Sequence, residues 1–98
     1  MARAVIMDGD ESVRAQVRHD LELAGVEVVA SAADAPAAVW CWDEYRPDFV
    51  VLGQPLGGPS AFDAATVISV QDPTARVVVF RDWSADLSAL AFERTVAA

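Results

Sequence analysis

The chain has no lysine. All seven basic residues are arginines, set against ten Asp and five Glu for a net charge of −8. Such a surface repels a phosphate backbone at ordinary salt, so nucleic-acid binding is not expected and a protein partner is. Cysteine is nearly absent as well. Cys41 stands alone, which excludes an internal disulfide, and with no Cys or His at metal-ligand spacing it reads as a small apolar helix residue. The single histidine, His19, falls off the apolar stripe of its helix with no nucleophile beside it, so an exposed, non-catalytic place is expected. No apolar run approaches the roughly 20 residues that cross a membrane, and the start lacks a basic stretch followed by an apolar one. A cytoplasmic protein without membrane contact is the expectation.

What is present is an apolar chain of one domain's length. Over 98 residues, 54% are hydrophobic and 22% charged, too apolar for a disordered segment. At this size about 60–68% of the unfolded surface can be buried, enough for one core with little surplus. We expect residues 1–98 to form a single domain.

Strand and helix patterns alternate four times. Ala4 to Met7 reads as a short strand. Asp10 is placed to cap a helix whose apolar positions Val13, Val17, Leu21 and Ala24 recur at helical spacing, and Gly25 stands at its stop. A second strand is expected over Val26 to Ala30. Asp34 then caps a second helix with Ala38, Val39 and Trp42 inward and Trp40 outward. Phe49 to Leu52 and Val77 to Phe80 are unbroken apolar runs, the mark of parallel strands covered on both faces. Between them a helix over Ala61 to Val70 is bounded by Gly57-Gly58-Pro59 and Asp72-Pro73, with Ser60 as its N-cap. A last helix is expected from about Ala85 to Val96. Right-handed crossovers make this a doubly wound parallel α/β sheet.

Three stretches carry a resemblance: Arg3-Ala-Val-Ile-Met-Asp8, the helix pattern after it, and the strand opened by Pro47-Asp48. Together they resemble a response-regulator receiver domain over nearly the whole chain. The resemblance implies the flavodoxin-like receiver fold with strand order 2-1-3-4, four βα units, and a missing fifth unit that leaves the domain short at its C-terminus with an unpaired fourth-strand edge. It also implies a place in two-component signalling or a phosphorelay.

Carried over by position, the family's chemistry is depleted. The residue five after Asp48, where the family has its phosphoacceptor aspartate, is Gly53. The acidic pair that holds magnesium corresponds to Asp8 and Gly9. The Thr or Ser after the fourth strand is replaced by Arg81, and with no lysine in the chain the family's lysine has no counterpart. The loop Pro and Gly appear as Gly57 and Ala61. The implied protein is a degenerate receiver, not an enzyme, with no cofactor and no catalytic residue, acting by protein–protein contact or as a homodimer through its last helix and fourth-strand edge.

Asp8, Asp10 and Glu11 form a vestigial acidic pocket at the strand's C-terminal end, where open α/β sheets bind ligands. Asp8 and Asp10 are a weak candidate for a divalent cation; the alternative is that Asp10 and Glu11 serve the helix start. Arg81 is expected to fill the vacated phosphoryl volume and pair with Asp8 or Asp10. The loop from Gly53 to Ser60 lacks the endings of a nucleotide-binding loop. Trp40, Trp83, Phe92 and Val96 are the expected contact residues. Two other functions stay open: sensing of a small ligand or divalent cation in the crevice, and phosphoryl acceptance at an unusual residue such as Asp8, Asp10 or Ser60.

Overall fold

In the computed structural model, residues 1–86 are described. Four parallel strands, β1 (Arg3–Met7), β2 (Glu27–Ala32), β3 (Phe49–Leu52) and β4 (Arg76–Val79), form one sheet in the order β2-β1-β3-β4. Helices α1 (Glu11–Leu23), α2 (Ala35–Tyr45) and α3 (Ala61–Gln71) connect them, and α4 is described over Trp83–Asp86. This is the expected α/β receiver-like order. The bounds expected for β3 are met, those of β1, β2 and β4 shift by one or two residues, and the last helix starts at Trp83 rather than Ala85. Phe92 and Val96 lie outside the described residues.

The starts of α1, α2 and α3 are each fixed by a side chain that accepts an otherwise orphaned backbone N–H. Asp10 accepts from Ser12, Asp34 from Ala37, and Ser60 from Asp63. Ser60 and Asp63 form a reciprocal capping box, since the Asp63 carboxylate also accepts the Ser60 amide at 2.8 Å. Helix α1 ends at Leu23 with Ala24 as its cap, so Ala24 is exposed instead of continuing the apolar stripe. Helix α2 ends on Arg46, whose φ of 44° is left-handed. The conformation costs about 1 kcal/mol or more in a non-glycine residue. It is held by the Arg46 amide donating to Trp42 at 2.9 Å, and by the guanidinium, which lies 4.3 Å over the Trp42 ring and pairs with Asp43.

The strands alternate between two cores. Val5, Met7, Val50 and Leu52 face α2 and α3, together with Ala38, Trp42, Ala64 and Ile68. Ala4, Ile6, Phe49 and Val51 face α1 with Val17 and Leu21, and this second core includes Phe80 and Trp83. The chain leaving β4 therefore turns toward α1, not toward α2 and α3. Asp48 fixes where β3 starts: its carboxylate accepts the Arg3 amide at 2.6 Å while its own amide donates to the Arg3 carbonyl at 2.8 Å. Among the described strands β4 is an edge, with Val77 to Val79 half-buried.

Trp42 is 2% exposed and Trp40 60%, as their spacing on one helix predicts. Truncating the buried indole leaves a cavity, so Trp42→Ala should lower unfolding free energy by about 3–5 kcal/mol in chemical denaturation. Trp40→Ala should stay within about 0.5 kcal/mol of the native chain.

Candidate functional site

The C-terminal ends of β1, β3 and β4 meet at a cleft of about 440 Å³, bordered by Asp8, Asp10, Gln54, Phe80, Arg81 and Trp83. Asp8 directly follows β1 and is 5% exposed, the one buried charged or polar residue among the described residues. Its two oxygens are both engaged by backbone: Oδ1 accepts the Asp10 amide at 2.8 Å and Oδ2 the Gln54 amide at 3.0 Å. Arg14 of α1 donates to the Asp8 carbonyl at 2.7 Å. One carboxylate thus ties the loop after β1 to the loop after β3.

Two glycines decide what else the site can hold. A Cβ on Gly53 would fall within van der Waals contact of the Asp8 carboxylate and of the Phe80 ring. Gly53 follows Leu52, which pairs with Val79, so Phe80 lies one rung beyond that pair. The ring stands where a side chain on Gly53 would project. A Cβ on Gly9 would lie 2.6 Å from the Leu56 nitrogen and 2.7 Å from its Cα, because the β3–α3 loop crosses directly over it. The Gly9 amide donates to the Gln54 carbonyl at 2.6 Å, holding that loop down. Both positions are closed by packing, one by a side chain and one by backbone.

Phe80 is itself held. Its ring meets Trp83 edge to face at 5.1 Å, and the Trp83 indole N–H donates to Asp20 of α1 at 2.7 Å. Trp83 is 4% exposed, so it is a core residue rather than an exposed contact. Its apolar body and polar tip explain this, since the indole fills the α1-side core while its N–H finds a carboxylate. Arg81 is exposed at the cleft rim. The expected occupant of the space over Gly53 was its guanidinium; the occupant is the ring of the preceding residue, whose side chain points to the opposite face of a strand from its neighbour's.

The acidic residues do not converge. Asp10 is turned to Ser12, accepting its amide at 2.9 Å and its hydroxyl at 2.7 Å, and these bonds hold its carboxyl below the usual aspartate range. Glu11 is exposed in the first turn of α1. Among the described residues no group of three or more His, Cys, Asp or Glu could hold a metal ion. For the magnesium a receiver would carry, Asp8 has both oxygens facing backbone donors and Gly9 and Gly53 supply none, so the residues present do not fit it. The Ser60 hydroxyl is committed to its capping box, and His19 is exposed. Burial raises the Cys41 thiol above its ordinary pKa, in keeping with a packed helix residue. Phe80 and the Trp83–Asp20 bond were not anticipated from the sequence. The available clue was a glycine ending one apolar strand and a large ring ending its neighbour.

An open parallel sheet in this order, with its crevice at the strand ends, is the architecture of a receiver. A LuxR-family two-component response regulator from an Aurantimonas species is 36% identical, with a TM-score of 0.78 over 95% of this chain and 68% of that one. The receiver domain of the response regulator NarL from Mycobacterium tuberculosis is 27% identical, with a TM-score of 0.76 over 82% of this chain and 65% of that one. The chemotaxis protein CheY of Listeria monocytogenes is 29% identical over 79 residues, 81% of this chain and 66% of its own length. No protein-family model matches the chain. The chain belongs to the response-regulator receiver family of two-component signal transduction. It spans about two thirds of the length of the curated relatives it matches. Among the described residues no helix is long and apolar enough to cross a membrane.

Adding a methyl group at Gly53 overfills a closed site. Gly53→Ala should cost about 1–3 kcal/mol. In a Phe80→Ala background the same change should cost less, with a coupling of at least about 0.5 kcal/mol in a double-mutant cycle. Asp10 gives a pH signature with a defined sign. Its folded pKa is lowered, so its contribution is complete above the ordinary aspartate range and fades as pH falls through the lowered value. Asp10→Asn should flatten the acid limb of a thermal-melting profile.

Proposed function

We propose that the chain is a receiver domain, read as one unit over residues 1–98, that works by protein–protein contact without aspartyl phosphorylation and is not an enzyme. The observation that carries this is the packing over Gly53, where the Asp8 carboxylate and the Phe80 ring occupy the direction a phosphoacceptor side chain would take. The closed second acidic position at Gly9 and the poor fit to magnesium support it. Phosphoryl acceptance at Ser60 or Asp10 is disfavoured, because each side chain is engaged in capping a helix. With phosphate removed as the input, what remains for a receiver is recognition of its surface by a protein or by a second copy.

The cleft favours one further reading. Its volume of about 440 Å³, with Asp8 and Arg81 at its border beside Phe80 and Trp83, is of the size that takes small molecules. A small-ligand sensor would use the same crevice.

The test is intact mass after incubation with acetyl phosphate and Mg²⁺. The native chain should gain nothing. Gly53→Asp should also gain nothing while Phe80 stays in place. A stoichiometric gain of one phosphoryl group on the native chain would overturn the reading. A small molecule that raises the melting temperature through the cleft, and loses that effect in an Arg81→Ala variant, would favour the sensor.

A further inference from the structure

Helices α2 and α3 pack side by side on one face of the sheet, and the groove between them is apolar. Pro36 and Val39 of α2 line a hollow of about 350 Å³ with Pro59, Ala64 and Val67. An adjoining hollow of about 340 Å³ shares Pro36 and Pro59 and adds Leu56. The large side chains beside this floor stay in solvent: Trp40 is 60% exposed, Leu56 76% and Val70 76%. Trp40 lies four residues from Pro36, and Val70 three from Val67, so each continues a lining stripe by one helical turn. An exposed indole beside an apolar groove is the kind of anchor that interfaces bury.

Charge selects the occupant. From Asp34 to Asp72 the sequence holds six carboxylates and one basic residue, Arg46. Asp34 and Asp63 stand at the N-terminal end of the groove, lining its two hollows. Asp43 lies in the last turn of α2 and Asp72 caps α3. Arg46 is already paired with Asp43 and stacked on Trp42. A second copy of this face would set carboxylates against carboxylates. We infer that the α2–α3 groove is the docking site for a cationic amphipathic helix of a partner protein. Two 11-residue helices give a groove roughly 16 Å long, room for about three turns, with apolar side chains on the floor and Arg or Lys over the acidic ends. This names a surface for the interaction reading above and rests on it, but not on any chemistry at Gly53.

The probe is a synthetic three-turn amphipathic peptide with Leu at i, i+3, i+4 and i+7 and arginines at both ends, beside the same peptide with glutamates in place of arginine. Amide chemical shifts of the 98-residue chain are followed during titration. The expected result is a salt-sensitive response to the arginine peptide centred on Val39, Asp63 and Val67, with no response to the glutamate peptide. Trp40→Ala should weaken the arginine peptide by at least about tenfold, and Val67→Lys should abolish the response while the native amide spectrum persists. Shifts confined to the β4 edge or to α4, equal responses to both peptides, or concentration-dependent broadening of the α2–α3 face without peptide would each overturn the proposal, the last in favour of a second copy. A phosphoryl gain in the mass experiment would sink the proposed function while leaving this titration unchanged, so the two failures are told apart.

Discussion

The space above Gly53 is the constraint on which the rest of this structure depends. It is bounded by a buried carboxylate from β1 and an aromatic ring from the end of β4, and only a residue without a side chain lets both be there. The buried Asp8 side chain accepts two backbone amides, one from each flanking loop, so its polar atoms are satisfied as buried polar groups must be. Remove the glycine and the carboxylate, the ring or the loop has to move. In this chain the ends of β1, β3 and β4 are joined by packing and by hydrogen bonds to Asp8.

That packing reaches beyond the site. Phe80 leans on Trp83, and Trp83 donates to Asp20, so β3, β4 and α1 are coupled through one chain of contacts. The end of β4 is filled by the Phe80 ring and tied down through the Trp83 indole N–H. The opposite face of the sheet carries the exposed apolar side chains of α2 and α3. One face is closed by aromatic packing and the other is left with surface to offer.

Much of the architecture was legible in the sequence because its causes are local. Asp10, Asp34 and Ser60 cap the helices they precede, the apolar runs at Phe49–Leu52 and Val77–Phe80 lead to parallel strands, the first fully buried and the second a half-buried edge, and Trp40 and Trp42 part to opposite sides of α2. The site was only half legible. Gly53 and Gly9 could be seen as missing carboxylates, but their reason is contact with residues 27 and about 47 positions away in the chain, Phe80 and Leu56. Arg81 drew attention because its charge suits Asp8, whereas a strand sends consecutive side chains to opposite faces and placed Phe80 there instead. Trp83 was expected at a contact surface because it stands in the stretch between the fourth strand and the last helix. Its burial depends on which face the chain crosses after β4, and nothing local specifies that.

The two buried tryptophans lie on opposite sides of the sheet, Trp42 in the α2–α3 core and Trp83 in the α1 core. Each carries a distinct quencher or partner, a guanidinium over one ring and a benzyl group against the other. The molecule therefore holds an intrinsic fluorophore in each half. Refolding followed with Trp40 and one buried indole replaced by phenylalanine reports the other half alone, and the order in which the two layers close over the parallel strands becomes an optical observable.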